Sequence, residues 1–388
     1  MKKKAIINGR IVLPDSVLEG YALVFDETIH RILPDGNPKE LGCDVMIDAG
    51  GAYVTPGLID VHIHGCIGKD TSDGQPEDIR QMSEALAANG VTAWLPTTMT
   101  LPVERLHPLF ENLRAAVRAS AEADWMGAEV LGVNMEGPYI SPVRRGAHRE
   151  DYIQKPDAAF VKQYADIIRL VTIAPEVEGG MDFIREITRD TEVICSIGHT
   201  DADYAQAVEA MQAGCTHATH LFNAMTGLHH RKPGVVGAAL TQPEVYTELI
   251  CDTFHIHPGL FALVARMKGD KLVLITDCMR AGGLPDGEFD LGGQKVTVSG
   301  IHCLLPDGTI AGSVLKLNQG AANLKQHTDL TMPEVLRTVS LNPAASIGVA
   351  GRKGSLEVGK DADIVLMDEN FQIIATYGKG RKIYDGKL

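Results

Sequence analysis

Residues 57–65 read GLIDVHIHG. An apolar run ends in two histidines, His62 and His64, with one isoleucine between them. On a strand, residues two apart point to the same face, with Cα atoms about 6.5–7 Å apart. Two imidazoles side by side suggest a shared guest, most naturally a metal ion. Two satisfied polar side chains in a turn would account for the same nine residues. The rest of the chain has to decide between these readings.

The pattern around this stretch fits an alternating α/β barrel. Strand-like runs stand at 58–63 (LIDVHI), 91–97 (VTAWLPT), 128–135 (AEVLGVNM), 170–176 (LVTIAPE), 192–198 (EVICSIG), 216–222 (THATHLF), 245–251 (VYTELIC) and 271–277 (KLVLITD). Helical periodicity lies between most of them. Over 77–89, Glu77 and Asp78 suit a first turn, Ile79, Met82 and Leu86 recur at spacings of three and four, and Gly90 offers a left-handed stop. Residues 201–213 repeat the plan, with Asp201 near the start and Gly214 after the end. The link from 222 to 245 is less clearly helical. Eight strands with intervening helices predict a (β/α)8 TIM-like barrel. The doubly wound alternative expects a glycine-rich nucleotide loop after an early strand, and none is present.

The two ends of the chain differ from this middle. Residues 1–56 alternate short β-rich runs with turns at Pro14-Asp15, Pro34-Asp35-Gly36 and Gly50-Gly51, and residues 346–388 have the same style. The expected organisation is a discontinuous small β-sandwich domain from 1–56 and 346–388, with the barrel over 57–345. Residues 281–313 form a glycine-rich β excursion after the eighth strand. It is either a cover over the barrel mouth or an ordinary surface hairpin.

Composition narrows the function classes. The chain has 388 residues, 45% apolar and 22% charged, enough for a substantial core. Its net charge of −14 argues against nucleic acid or an anionic membrane as the main partner, though a local basic pocket could still take a small anion. No apolar stretch approaches the ~20 residues of a membrane span. The opening MKKK is basic, but Asn8, Gly9 and Arg10 interrupt the short apolar run after it, so no signal segment is expected. Seven scattered cysteines without a CxxC pair suggest reduced thiols and a cytoplasmic setting. Only Cys66 and Cys278 lie beside candidate site residues.

On the barrel frame the polar residues fall into place. His62 and His64 close strand one, Glu136 follows strand three, His199 follows strand five, His220 closes strand six and Asp277 closes strand eight. The C-terminal ends of barrel strands carry the chemistry. Six such groups there are hard to explain as filler, so a metal site is expected. Imidazole and carboxylate suit Zn2+ or Fe2+, and the lack of cysteine clusters argues against a structural zinc. The four histidines and Glu136 could hold one or two ions; the sequence leaves the division open. A bound ion lowers the pKa of water to roughly 7. An aspartate beside it, Asp277, could carry a proton to a leaving amine. That is a hydrolase layout. His148 lies in a polar loop after Glu136, and His255 follows strand seven at the same mouth. His229, His230 and Arg231 form a basic cluster, either a solvated loop or an anion site. His217 stands out of register with His220, so packing or solvent is its simplest role, and His257 is a bystander.

The GLIDVHIHG stretch, the histidines after strands five and six, the aspartate after strand eight and the ending GSLEVGKDADIVL (354–366) together resemble the amidohydrolase superfamily. MEGPYI (135–140), GHTDA (198–202), THLFNAM (219–225), CDTFH (251–255) and LITDCM (274–279) narrow the likeness to its N-acetylglucosamine-6-phosphate deacetylase family. The likeness spans essentially the whole chain. It implies hydrolysis of N-acetylglucosamine 6-phosphate to glucosamine 6-phosphate and acetate, in amino-sugar catabolism. By the same resemblance, Glu136, His199 and His220 match the principal metal ligands, and His62 and His64 a second metal position that some members lack. Asp277 matches the catalytic aspartate and His148 the histidine that polarises the acetyl carbonyl. Asn223 and Ala224 match a phosphate-holding segment, and His255 a sugar contact. Arg231 matches a phosphate-binding arginine donated across a homodimer. The competing readings are another amide hydrolase of the superfamily, acting on a cyclic amide or another N-acetyl sugar, a deaminase, and a non-catalytic scaffold. No lysine stands in the metal set to bridge two ions as in cyclic-amide hydrolases, and no ligand is missing as in a scaffold.

Overall fold

A computed structural model describes residues 2–35 and 38–386. Met1, Gly36, Asn37, Lys387 and Leu388 lie outside the described residues, and with them the glycine of the 34–36 turn and the last two positions of the C-terminal segment.

Eight strands run parallel in chain order. They are β1 (Leu58–Ile63), β2 (Val91–Thr98), β3 (Glu129–Val130 and Val133–Met135), β4 (Ile168–Ile173), β5 (Ile194–Ile197), β6 (Cys215–Ala218), β7 (Tyr246–Ile250) and β8 (Leu272–Ile275). A helix follows each: α1 (Pro76–Ala87), α2 (Val103–Ser120), α3 (Ala158–Gln163), α4 (Gly180–Asp190), α5 (Tyr204–Gln212), α6 (Gly234–Thr241), α7 (Phe261–Lys268) and α8 (Leu317–Gln326). This is the TIM-like barrel that the alternating pattern predicts, nearly closed. The remaining seam lies between β1 and β8. There Thr276 donates from Oγ1 to Asp60 Oδ2 at 2.6 Å, and Asp277 N donates to His62 O at 2.9 Å. His64 N and Gly65 N both donate to Cys278 O at 2.9 Å. The strand ends that carry candidate site residues are thus tied across the seam.

Three local differences from the sequence expectation have clear causes. β3 is broken at Leu131-Gly132 rather than continuous. Gly132 sits at φ +145, and a Cβ there would stand 2.5 Å from the Ile167 carbonyl oxygen. α5 starts at Tyr204, because Asp203 rather than Asp201 caps it, in a reciprocal bond pair with Gln206. Asp201 instead accepts from Arg144 Nε at 2.8 Å. The unclear link between β6 and β7 contains α6, whose residues Gly234–Leu240 are all buried. A helix that is apolar all round shows no amphipathic period.

Ile59, Val61, Ala93, Leu95, Leu170, Ile250, Val273 and Ile275 pack together with Ala344 and Ile347 from the C-terminal segment. Most of the remaining apolar core, including Trp94, Phe110, Ile184 and Val264, lies in a second, larger cluster between the strands and the surrounding helices. Outside the barrel, a four-stranded sheet forms from Ile29–Pro34, Tyr21–Phe25, Lys4–Ile7 and Val45–Asp48. A six-stranded sheet joins both ends of the chain, Tyr53–Pro56 pairing antiparallel with Ile364–Met367. Ile6, Leu23 and Phe25 of the first sheet pack with Ile11, Val54, Ile364 and Tyr377 of the second. The 281–313 excursion is a three-stranded antiparallel sheet, Gly287–Leu291, Gln294–Ser299 and His302–Leu304, packed against Met99, Ala147 and Met279.

Candidate metal centre and active site

Glu136 follows β3 directly and is buried. Five imidazoles face it. Its Oε1 lies 2.9 Å from His220 Nε2, 3.2 Å from His199 Nε2 and 3.4 Å from His62 Nε2. Its Oε2 lies 3.1 Å from His64 Nε2 and 3.3 Å from His148 Nε2. Asp277 Oδ1 stands 3.2 Å from His64 Nε2 and 3.7 Å from His62 Nε2. Among the described residues two groups could hold a metal ion: His62, His64 and Glu136, and Glu136, His199 and His220. Glu136 belongs to both.

The strands deliver these groups in two ways. His62 lies within β1, and His64 follows its end. His199, His220 and Asp277 lie past the ends of their strands, at φ of +47, +28 and +50. His220 is therefore two residues beyond β6 rather than its closing residue. Non-glycine residues in left-handed conformations cost on the order of 1 kcal/mol each and persist where the surroundings hold them. Phe222 and Ala224, on the next turn, are also left-handed, at +77 and +48.

Four of the five rings are oriented from behind. His62 Nδ1 lies 2.9 Å from Glu248 Oε2, His64 Nδ1 3.2 Å from Thr97 O, and His199 Nδ1 2.9 Å from Arg144 O. These acceptors put the proton on Nδ1 and leave Nε2 facing Glu136. His148 has the opposite tautomer. Thr100 N donates to its Nδ1 at 3.1 Å and Thr100 Oγ1 sits at 2.7 Å, so Nε2 carries the proton into the site. Gly137 makes this approach feasible, since a Cβ there would meet Thr100 Oγ1 at 2.1 Å. Of these partners, Glu248, Thr97, Thr100 and Arg144 were not singled out in the sequence. A lone carboxylate inside the buried strand YTELI was the one available signal, because a buried charge needs a partner.

The electrostatics is that of groups able to ligate a cation. Burial would lower the His64 pKa, but hydrogen bonds to Asp277 and Glu136 overcome it and hold it at about 10. His62 is likewise raised, against burial, by Glu136 and Glu248. Burial would raise Asp277, yet the His64 hydrogen bond and the His62 charge bring it down to about 2. Glu136 is pulled well down against its burial by His62 and His199. His148 goes the other way, to about 4, chiefly through burial, and stays neutral near pH 7. The buried Nε2 of His62 and Nδ1 of His220 have no hydrogen-bond partner among the described residues. Convergent buried nitrogens and carboxylates, one nitrogen orphaned toward the cluster, are the donor set a divalent ion takes.

A cavity of about 380 Å³ opens on this cluster. His64, Glu136, His148, His199, His220 and Asp277 line it, as do Asn223, Ala224 and His255. His255 Nδ1 is held 2.6 Å from Asp252 Oδ2. Leu291, Thr309, Ile310 and Gly312 of the β excursion form part of the wall. Arg231 is not among the described lining residues; it is exposed, its guanidinium 2.7 Å from His230 Nε2. His217 is buried and packs 3.2 Å from Ser196 Oγ, and His257 caps a short 3-10 turn through Gly259 N. All seven cysteines are free; Cys66 and Cys278 are buried, and burial lifts the Cys66 thiol to about 12.

The amidohydrolase family model matches residues 53–383. The chain belongs to the amidohydrolase family. Its relatives within that family include the N-acetylglucosamine-6-phosphate deacetylase of Bacillus subtilis (strain 168), 40% identical over 97% of this chain and 96% of that one. The N-acetylgalactosamine-6-phosphate deacetylase of Escherichia coli O157:H7 is 36% identical over 84% and 86%. Among solved structures, the N-acetylglucosamine-6-phosphate deacetylase from Pasteurella multocida superposes with a TM-score of 0.90 at 32% identity, covering 98% of this chain and 99% of that one. Membership of this amidohydrolase family implies a divalent metal, and the His/Glu groups above fit one.

Proposed function

We propose that this amidohydrolase removes the acetyl group of N-acetylglucosamine 6-phosphate, giving glucosamine 6-phosphate and acetate in amino-sugar catabolism. The observation that carries the reading is the shared cavity, where Asp277 and the protonated Nε2 of His148 stand beside the Glu136–histidine cluster. The full-length likeness to deacetylases supports the substrate class.

The proposed holders of the ions are His62 and His64 on one side and His199 and His220 on the other, with Glu136 common to both. Imidazole and carboxylate donors favour Zn2+, with Fe2+ as the alternative. An ion there would polarise the amide carbonyl and make water acidic near pH 7. The chain's own groups do the rest. His148 Nε2–H donates to the carbonyl oxygen as negative charge grows on it, from a ring that burial keeps neutral. Asp277, ionised at pH 7, accepts the proton that water gives up as its oxygen bonds to the acetyl carbon. It then passes that proton to the sugar nitrogen as the C–N bond breaks, because an amide nitrogen leaves as an amine and not as an anion. His255 would contact the sugar, and the Asn223-Ala224 turn would hold the phosphate. Arg231, exposed and outside its own chain's cavity, would serve the site of a second copy in a homodimer, in a cytoplasmic setting.

The decisive test is acetate release from N-acetylglucosamine 6-phosphate, before and after chelation and after adding back Zn2+ or Fe2+. Activity that falls with the chelator and returns with the ion is expected. Inertness of the metal-loaded chain would overturn the assignment. The galactosamine relative favours one second substrate, the 4-epimer, and the ratio of kcat/KM for the two sugars decides between them. Light scattering reads the dimer, and Arg231→Ala should raise KM far more than it lowers kcat.

A further inference from the structure

We propose that Glu248 is a positioning residue that ties the two halves of the metal cluster together and sets how tightly the His62–His64 half holds its ion. The proposal rests on the two-ion reading above.

Glu248 lies in β7, fully buried, and is not among the described residues lining the cavity, so its carboxylate acts through its neighbours rather than on substrate. One oxygen makes two contacts. Oε2 lies 2.9 Å from His62 Nδ1 and accepts from His220 N, also at 2.9 Å. The backbone carbonyl of Glu248 accepts from Leu221 N at 2.9 Å, so His220 and its neighbour Leu221, in the turn after β6, are both pinned to it. The same side chain thus orients a ring on one side of Glu136 and the backbone that carries a ring on the other.

The four imidazoles differ in what stands behind them. His64 and His199 have neutral carbonyls, those of Thr97 and Arg144. His220 Nδ1 has no partner among the described residues. His62 alone has a carboxylate. A carboxylate can only accept, so it fixes the proton on Nδ1 and turns the Nε2 lone pair toward Glu136 and Asp277. It also strengthens His62 as a donor beyond what a carbonyl does. The other candidate duty of Glu248, pairing with His217, is weaker: that separation is 3.7 Å, and Glu248 Oε1 has no hydrogen bond among the described residues.

The test titrates the metal-free chain with Zn2+ against a chromophoric chelator and counts bound ions by mass spectrometry. The wild-type chain should take two. Glu248→Gln keeps the size and an acceptor oxygen but removes the charge. It should weaken one ion by roughly 10–100-fold and leave the other nearly unchanged. In Co2+-loaded protein the visible spectrum should change for that equivalent alone. In a His62→Gln background, Glu248→Gln should add no further selective loss. A second measurement needs no change at Glu248: nitrogen NMR of the zinc-loaded wild type, with His62 assigned through His62→Gln, should find the proton on Nδ1. Two ions bound with unchanged affinities in Glu248→Gln, equal weakening of both, or a bare His62 Nδ1 overturns this inference alone. One ion in the wild type overturns the two-ion reading and the inference with it.

Discussion

Strand β3 begins with Glu129, and Glu136 follows its end; both carboxylates are substantially buried, yet they live in opposite regimes. At the N-terminal end of the barrel, Glu129 is met by Lys353 Nζ at 2.8 Å, Arg352 Nη2 at 3.0 Å and Lys379 Nζ at 3.3 Å. Asp361 and Asp363 complete the set through Lys353, at 2.9 and 2.6 Å. Three cations answer three carboxylates, and the network links the barrel to the C-terminal β segment. At the other end the ion-pair partners of Glu136 among the described residues are imidazoles, and the charges that share those rings, Asp277 and Glu248, are negative. That cluster balances itself with borrowed protons or with a bound cation. A site whose charges all pair internally is structural; a site that leaves nitrogens orphaned has room for chemistry.

The comparison can be broken at several points. The largest effect belongs to the catalytic end. Asp277→Asn should lower kcat/KM by about 10²–10⁴-fold with little change in melting temperature; near-full activity would remove Asp277 from the proton path. At the opposite end, Lys353→Met leaves three carboxylates to two cations, Arg352 and Lys379, and strips Asp363 of its ion pair; it should cost about 3–5 kcal/mol by denaturant unfolding, while kcat of the folded fraction holds. A drop in kcat at constant metal content would show that the two ends are coupled.

Acid gives a smaller effect with a definite sign. Burial would raise Glu129, but Lys353 and Arg352 hold it at about 2, against an ordinary value of 4.5. Because the folded value is depressed, its stabilisation is present above about pH 4.5 and is lost as pH falls toward 2. The amount is on the order of 3 kcal/mol. Glu129→Gln should flatten this part of the stability–pH curve. The smallest effect is at the metal cluster. His64, at about 10, carries a proton at pH 7 in the metal-free chain, and that proton must leave when the ring ligates. Calorimetry in buffers of different protonation heat should count about one proton or more released on loading. No buffer dependence would mean that the histidines bind metal already neutral.

Much of this was legible in the chain itself. The eight strand runs stand out because a barrel strand buried on both faces is a short apolar run, and each such run ends near a turn. The ligand types were legible because H-x-H, single histidines and carboxylates at strand ends are rare filler. What escaped has physical causes. α6 is apolar all round and leaves no period. Asp201 and Asp203 are equally good caps on paper, and Arg144 claims the first.

The sequence by itself determined the fold class and the inventory of chemical groups, because periodicity and residue type are local properties. Tertiary structure decided how those groups are arranged. It made Glu136 common to both halves and turned His199, His220 and Asp277 into left-handed positions that face one cavity. It also placed Glu248, 186 residues along the chain from His62, behind that ring. Contacts of that range depend on the closing of the barrel, which no local pattern encodes.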